Sequence, residues 1–210
     1  MQILLRVFFQ LLYHPFAWSY DLVAELVSLG RWKSWVLSAL PWLDGRVLEL
    51  GFGPGHLQAA LRAGGLQAYG LDESRPMCRQ AGDRLRRSGY PLCLTQGYAQ
   101  YLPFAGETFE RVAATFPSEY IFEAQTLAEI RRVLRPGGLL VIVPSAWISG
   151  TGPLERLAAG LFRVTGQAGK LDVLLPGIQG RIAAAGFVVR HELVEQEGSR
   201  VLVVIASKFF

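Results

Sequence analysis

Hydrophobic residues recur with two different periods along this 210-residue chain. Short runs of branched and aliphatic residues, typical of buried strands, alternate with segments whose apolar positions follow helical spacing. This alternation predicts an α/β fold with a mostly parallel sheet and helices on both faces, because a parallel connection needs a crossover helix. The predicted strands are Arg46–Leu50, Leu66–Leu71, Leu92–Thr95, Arg111–Thr115, Leu139–Val143, Phe187–Val194 and Arg200–Ala206. The predicted helices are His56–Ala63, Ser74–Arg87, Thr126–Leu134 and Ile178–Ala185.

The last two predicted strands are separated by only five residues, 195–199. A link this short predicts an antiparallel hairpin at the end of the sheet. We therefore expect a single domain over residues 1–210, with a helical cap at 1–44 and a core at 45–143. A lid-like insertion at 144–176, then a closing helix and the hairpin at 177–210, complete the expected organisation.

The composition narrows the class of protein. Hydrophobic residues make up 51% of the chain and charged residues 18%, which excludes a disordered chain. The longest uncharged stretch is broken by glycines and prolines, so no membrane-spanning helix is expected. Two cysteines without a C-x-x-C pattern, three scattered histidines and no recognisable secretory signal predict a cytoplasmic protein without a metal site.

The net charge of +4 comes largely from arginine, which is concentrated in residues 74–90. This concentration favours a solvated helix face, with an anionic membrane surface or an acidic partner as the alternatives. No motif that combines aromatic and basic residues accompanies the charge, so no nucleic-acid partner is expected.

Three glycines, Gly51, Gly53 and Gly55, stand between the first predicted strand and the helix that follows it. A glycine-rich turn lets the backbone approach a ligand closely, and a helix amino terminus offers unpaired N–H groups. Asp72 ends the next predicted strand, where a carboxylate can accept both ribose hydroxyls of a nucleoside. Together these features predict an adenosine-containing cofactor at the switch point of the sheet.

The same pattern argues against a nicotinamide cofactor. The dinucleotide fingerprint needs a third glycine at position 56, which is His56 here. Glu49 lies two residues before the first glycine, and its negative charge would repel a pyrophosphate. A carboxylate at this position suits the ammonium group of an amino-acid moiety instead.

Four segments carry a resemblance to a known family. Residues 47–55 (VLELGFGPG) resemble motif I of the class I S-adenosylmethionine-dependent methyltransferases, and residues 70–74 (GLDES) with Met77 are similar to their second-strand motif. Residues 97–104 (GYAQYLPF), followed by Thr108 and Phe109, resemble their adenine-side loop. Residues 130–138 (IRRVLRPGG) are similar to the helix and turn before their fifth strand. The resemblance is strongest to the small-molecule branch that includes quinone C-methyltransferases.

This resemblance implies a seven-stranded Rossmann-like methyltransferase sheet and an enzyme of EC 2.1.1 type. It also implies S-adenosyl-L-methionine as the cofactor and S-adenosyl-L-homocysteine as the product. Tyr98 departs from the family, which usually has an acid there to accept a hydrogen bond from the adenine amine. The cofactor-binding residues implied by matching positions are Glu49, Gly51, Gly53, Gly55, Asp72, Glu73, Met77, Tyr98, Ala99 and Thr115.

The acceptor is less constrained, because alignment and exclusion of water supply much of the rate of a methyl transfer. Residues 1–12 are mostly apolar with a narrow polar stripe, and the insertion at 144–176 has few charges. Two apolar covers over one cleft predict a small apolar or aromatic acceptor. For the N-terminal helix, a lid, a homodimer contact and a peripheral membrane contact are the alternatives.

Candidate acceptor-site residues follow the fourth predicted strand and lie in the N-terminal cap. Glu119 and Tyr120 are candidate catalytic residues that orient or deprotonate the acceptor. His14, Tyr20 and Phe116 are candidates for the substrate pocket. Two other functions stay open at this stage: a catalytically inactive methyltransferase-like binding protein, hinted at by Tyr98, and a nicotinamide-dependent reductase.

Overall fold

A computed structural model describes residues 25, 28–149, 171–196 and 198–209, which build one seven-stranded sheet with flanking helices. The strands are β1 (Arg46–Leu50), β2 (Gln67–Asp72), β3 (Leu94–Gln96), β4 (Phe109–Thr115), β5 (Leu134–Ile148), β6 (Phe187–Gln196) and β7 (Ser199–Lys208). The helices are α1 (Trp32–Leu37), α2 (His56–Ala63), α3 (Arg75–Arg87), α4 (Ala124–Val133) and α5 (Leu171–Ala184). Short 3₁₀ turns at Leu40–Trp42 and Glu119–Phe122 precede β1 and α4.

The strand order across the sheet is β3-β2-β1-β4-β5-β7-β6. The first five strands pair in parallel, whereas β7 runs antiparallel to both β5 and β6. The predicted fold class is therefore confirmed. Because the chain moves outward from β1 to β3 and then returns to β4, a crevice forms where β1 and β4 end side by side.

Apolar layers cover both faces of the sheet. On the α4–α5 face, Leu127, Ile130 and Ile182 pack against the strands. On the α1–α2 face, Trp35 and Leu57 belong to a second buried cluster. Strands between two such layers are buried on both sides, which explains why β5 and β7 contain the continuous apolar runs Leu139–Val143 and Val201–Ala206 rather than alternating ones.

Strand β5 is longer than predicted at its amino end. Pro136-Gly137-Gly138 indicates a helix stop, but α4 already ends at Val133 and β5 begins at Leu134. Phe109 pairs with Leu134 and Arg111 pairs with Leu139, so residues 135–138 form a bulge within the paired strand. The proline and glycines are tolerated there because a bulge leaves residues outside the ladder.

A second irregularity lies near Pro144, where the register against β7 shifts between Ile142 and Ser145. The shift reverses which side chains face which layer. Ile142 and Trp147 therefore both pack on the α4–α5 face although they are five positions apart, a spacing that would place them on opposite faces of a regular strand. The strand continues to Ile148, five residues beyond the predicted end at Val143.

Helix α5 begins at Leu171 rather than at the predicted Ile178, and it contains Pro176. A proline normally breaks the helical pattern, which is why the sequence indicates a later start. His14, Tyr20 and most of the predicted cap lie outside the described residues, as does residue range 150–170 of the predicted insertion. Within the described ranges, no helix has the length and apolarity needed to cross a membrane.

Candidate functional site

The glycine loop after β1 adopts a backbone that residues with a Cβ rarely adopt. Gly51, Gly53 and Gly55 have φ angles of +66°, +51° and +82°. A Cβ on Gly55 would lie 2.8 Å from the Cβ of Ala81, so this glycine allows α3 to pack closely. A Cβ on Gly53 would meet no heavy atom within 4 Å. The loop therefore has an open side that can receive a ligand.

Asp72, the last residue of β2, is hydrogen-bonded to the loop and to the start of α3. Its Oδ2 accepts from the Gly53 N–H at 2.8 Å, and its Oδ1 accepts from the Ser74 N–H at 2.8 Å. Burial raises the pKa of the Asp72 carboxyl, and these two amide hydrogen bonds oppose the increase. Each oxygen retains one further acceptor position, which matches the two hydroxyls of a ribose.

Glu49 lies in β1, below the glycine loop, and is almost fully buried. Burial raises the pKa of its carboxyl to about 8, the hydrogen bond from Gln58 lowers it, and the charge of Asp72 raises it further. The Gln58 amide donates to Glu49 Oε2 at 2.9 Å and to the Tyr69 carbonyl at 3.0 Å. A cation beside Glu49 would favour the ionised carboxylate, since it would replace the missing solvent.

The loop after β3 is held in place by α4. The Arg132 guanidinium donates to the carbonyls of Leu102 at 3.0 Å and Phe104 at 2.8 Å. Glu129 accepts from the Leu102 N–H at 2.8 Å, and its pKa is lowered by the hydrogen bond from Arg132. In this loop Ala99 is buried whereas the Tyr98 side chain is 62% exposed.

The segment after β4 brings one of the two candidate catalytic residues to the glycine loop. A Cβ on Gly51 would lie 2.5 Å from the Tyr120 hydroxyl oxygen, so Tyr120 packs directly over this glycine. Glu119 instead points into solvent, where its carboxylate lies 3.5 Å from the Arg181 guanidinium on α5. Thr115 and Phe116 are half-buried at the carboxyl end of β4.

A family model described as a methyltransferase domain matches residues 48–142 of the chain. The ubiquinone/menaquinone biosynthesis C-methyltransferase UbiE of Syntrophotalea carbinolica is 32% identical over 151 residues, covering 69% of this chain and 62% of that protein. The demethylmenaquinone methyltransferase of Thermus thermophilus is 29% identical over 199 residues, covering 83% of this chain and 90% of that protein.

Solved structures agree on the fold. A putative S-adenosyl-L-methionine-dependent methyltransferase from Methanococcus maripaludis superposes with a TM-score of 0.65 at 18% identity, covering 92% of each chain. The chain also superposes with a TM-score of 0.61, at 18% identity, on the phosphoethanolamine N-methyltransferase 2 of Haemonchus contortus in complex with S-adenosylhomocysteine. The match covers 86% of this chain and 53% of that one.

The chain belongs to the class I S-adenosylmethionine-dependent methyltransferases. The family predicted from the sequence motifs is thereby confirmed, and S-adenosylmethionine is the cofactor of this family. The chain spans 62% of the Syntrophotalea relative and 54% of the corresponding Bordetella avium enzyme, less than two thirds of each. Neither the inactive binding protein nor the nicotinamide-dependent reductase gains support from these relatives.

The residues present fit the family's cofactor. The open side of Gly53 offers backbone contact, Asp72 has two acceptor positions left, and Glu49 offers a buried carboxyl for a cation. Glu73 is exposed next to Asp72, whereas the Met77 side chain lies in the buried core of α3. In the part of the chain that the structure describes, no group of histidine, cysteine and acidic side chains is placed to hold a metal ion.

Two supporting residues were missed by sequence reasoning. Gln58 lies outside the quoted motifs, and Arg132 lies within the motif at residues 130–138 but received no role in the site. The one available signal is spacing, because Gln58 lies on the first turn of the helix that the glycine loop opens. Their importance follows from contacts across the fold, with Glu49 and with the loop after β3.

Proposed function

We propose that this chain transfers a methyl group from S-adenosylmethionine to a small apolar or aromatic acceptor of the quinone class. The observation that carries the proposal is the Asp72 carboxylate, held by the amides of Gly53 and Ser74 beside an open glycine loop. The quinone class comes from the names of the sequence relatives, which are C-methyltransferases of ubiquinone or menaquinone biosynthesis.

When bound, S-adenosylmethionine supplies an activated methyl group, so the protein's main task is to position the reactants and exclude water. Asp72 accepts the ribose hydroxyls, and the backbone of the glycine loop lies against the amino-acid and ribose portions. The Glu49 carboxylate faces the ammonium group. The remaining cofactor contacts that we propose are Glu73 at the adenine edge, Tyr98 and the Ala99 N–H along the ring, and Thr115 near the methyl. Met77 is buried, so we assign it to the packing of α3 behind this edge.

On the acceptor side we assign Tyr120 as the residue that orients the acceptor or removes its proton. Its hydroxyl lies against Gly51 of the glycine loop, the part of the site that we assign to the amino-acid and ribose portions of the cofactor. Glu119 is 86% exposed and lies beside Arg181, so we assign it no contact with a buried acceptor. Contacts of the N-terminal segment with a membrane or a second subunit stay predictions.

Calorimetric titration with S-adenosylmethionine and S-adenosylhomocysteine tests the cofactor site. We expect binding to the unmodified protein and a loss of about 100-fold in Asp72→Asn, which removes charge-assisted hydrogen bonds to the ribose. Asp83→Asn is the matched control, because Asp83 is exposed on α3 and pairs with Arg86 at 2.9 Å. Its affinity for both ligands should stay within twofold.

Methyl transfer is then followed with S-adenosylmethionine labelled in the methyl group. Reduced 1,4-naphthoquinone serves as an aromatic acceptor and phosphoethanolamine as a charged aliphatic one. We expect transfer to the first and none to the second. A folded protein that binds neither cofactor ligand, or that methylates only the charged acceptor, would refute the proposal as stated.

A further inference from the structure

Phe116 has an unusual backbone at the carboxyl end of β4. Its φ angle is +48°, in the left-handed region that a residue with a bulky side chain rarely occupies. Its N–H still donates to the Val143 carbonyl at 2.7 Å, so the strained residue is held against β5 where β4 ends. Strained residues persist where the surrounding structure fixes them, and they concentrate at ligand sites.

This backbone moves the Phe116 ring from one face of the sheet to the other. Val112 and Ala114 pack on the α4–α5 face, whereas Ala113 packs on the α1–α2 face. Continued alternation would send Phe116 to the α4–α5 face. The ring instead packs on the α1–α2 face, with its centroid 4.5 Å from that of Trp32.

Helix α1 is held at this edge by contacts with the β6–β7 hairpin. The Trp35 indole donates to Ser199 Oγ at 2.9 Å, and the Gln196 amide donates to Ser38 Oγ at 2.6 Å. Ser199 pairs with Ile148, the last residue of β5, so the hairpin turn lies at the carboxyl edge of the sheet. Trp32 is thereby fixed beside the carboxyl ends of β4 and β5.

We propose that Trp32 and Phe116 form a fixed aromatic wall of the acceptor site, which makes α1 a specificity element for acceptors with a flat aromatic ring. This inference rests on the proposed methyl transfer. Both rings are half-buried, and Phe116 directly follows β4, one of the two strands whose ends form the crevice. Tyr120 lies across the crevice, over Gly51.

The chemistry of the wall determines the class of acceptor. Two adjoining aromatic rings offer stacking and edge-to-face contacts to another aromatic ring. These contacts add to the apolar surface area that any hydrophobic acceptor would bury. A branched aliphatic acceptor would gain only the burial of apolar surface area. The strain at Phe116 then has a function, because it keeps the ring on the side of α1 instead of under Tyr120.

Binding of 1,4-naphthoquinone to the protein saturated with S-adenosylhomocysteine tests this wall without any turnover. Equilibrium dialysis should show binding to the unmodified protein that weakens at least tenfold in Trp32→Leu and in Phe116→Leu. The affinity for S-adenosylhomocysteine should stay within twofold in both. Trp32→Phe, which keeps an aromatic face, should recover most of the naphthoquinone affinity.

Trp42→Leu is the matched control. Trp42 packs against the same apolar layer, but its carbonyl accepts from Arg111 near the start of β4, at the opposite edge of the sheet. This variant should lose stability and keep its naphthoquinone affinity. The proposal of an aromatic wall would be overturned by an equal loss of naphthoquinone affinity in Trp42→Leu. It would also be overturned by full naphthoquinone binding in Trp32→Leu and Phe116→Leu.

The two proposals fail in different ways. A protein that binds S-adenosylhomocysteine but not naphthoquinone overturns the aromatic wall and leaves methyl transfer standing. A folded protein that does not bind S-adenosylhomocysteine refutes the proposed function, and it refutes the aromatic wall as well. If Trp32→Leu does not fold, the comparison of Trp32→Phe with Phe116→Leu decides the same question.

Discussion

Glu49 shows how a single side chain makes the site sensitive to pH. The carboxyl is 1% exposed, and burial raises its pKa to about 8 from an ordinary value of 4.5. Between these two values the folded chain holds the proton more tightly than the unfolded chain. The stability contributed by this group is therefore complete below pH 4.5 and is lost as the pH rises toward about 8.

Glu49→Gln removes this titration and keeps an oxygen that can accept the hydrogen bond from Gln58. We expect the variant to gain stability over the unmodified protein as the pH rises from about 5 to 8, by up to ~1 kcal/mol per pH unit. Urea unfolding at a series of pH values measures the difference. Stability curves that run parallel in the two proteins would contradict the expectation.

At the scale of elements, α4 determines the position of the loop at residues 97–105. Arg132→Ala removes two hydrogen bonds to loop carbonyls and the partner of Glu129. Because the Arg132 side chain is 40% exposed, we expect a loss of only about 1 kcal/mol in the free energy of unfolding. The larger effect should be on the loop, with faster amide exchange and about tenfold weaker binding of S-adenosylhomocysteine.

Hydrogen exchange of residues 97–105 and calorimetry measure these two effects. Arg87→Ala is the control, because Arg87 is exposed on α3 and, among the described residues, its guanidinium donates only to the Asp83 carbonyl of the same helix. It should change neither the exchange of the loop nor the affinity. An Arg132→Ala variant that is destabilised throughout, with no selective change in the loop, would argue against the role of α4 in holding the loop.

Parts of the structure that are determined by residues close together in the sequence were predicted well. Gly51 and Asp72 belong to strand–turn–helix units, so their positions follow from neighbouring residues. The bulge at Pro136 and the helix through Pro176 were missed, because pairing with β4 and packing on the sheet override the usual effect of a proline. Arg132 was missed for a related reason, since its partners lie about 30 residues away and only the fold brings them together.

The choice between Glu119 and Tyr120 shows the same limit at the site. Both residues follow β4, and the sequence ranks them equally. The 3₁₀ turn at Glu119–Phe122 rotates neighbouring side chains apart, which directs Tyr120 onto Gly51 and Glu119 into solvent. A turn of this length has too few residues to show a period, so its rotation is available only from the folded chain.

At the scale of the molecule, two apolar layers share one sheet. Strand β7 contributes Leu202 and Val204 to the α4–α5 face and Val201 and Val203 to the α1–α2 face. Neither layer can separate from the other without breaking strands that both require. We therefore expect the described part of the chain to unfold as one cooperative unit, with the crevice between β1 and β4 formed only when both layers are intact.

Cavities on opposite faces test this coupling. Leu57→Ala and Leu127→Ala each truncate a fully buried side chain, one in each layer, and each should lower the free energy of unfolding by about 2–5 kcal/mol. Because the sheet separates the two sites, the double variant should lose the sum to within ~0.5 kcal/mol in a single transition. Leu92→Ala, at a position that is 41% exposed, should cost far less.

Urea unfolding followed by far-ultraviolet circular dichroism and by tryptophan fluorescence distinguishes the outcomes, since the described tryptophans Trp32, Trp35 and Trp42 belong to the α1–α2 layer and Trp147 to the other. Coincident curves in the unmodified protein, the two single cavity variants and the double variant mean that the shared strands transmit the loss of stability from one face to the other. Separate transitions in Leu57→Ala would mean that α1 and its aromatic contacts detach while the rest of the sheet persists. The aromatic wall would then belong to a unit that can unfold independently of the cofactor site.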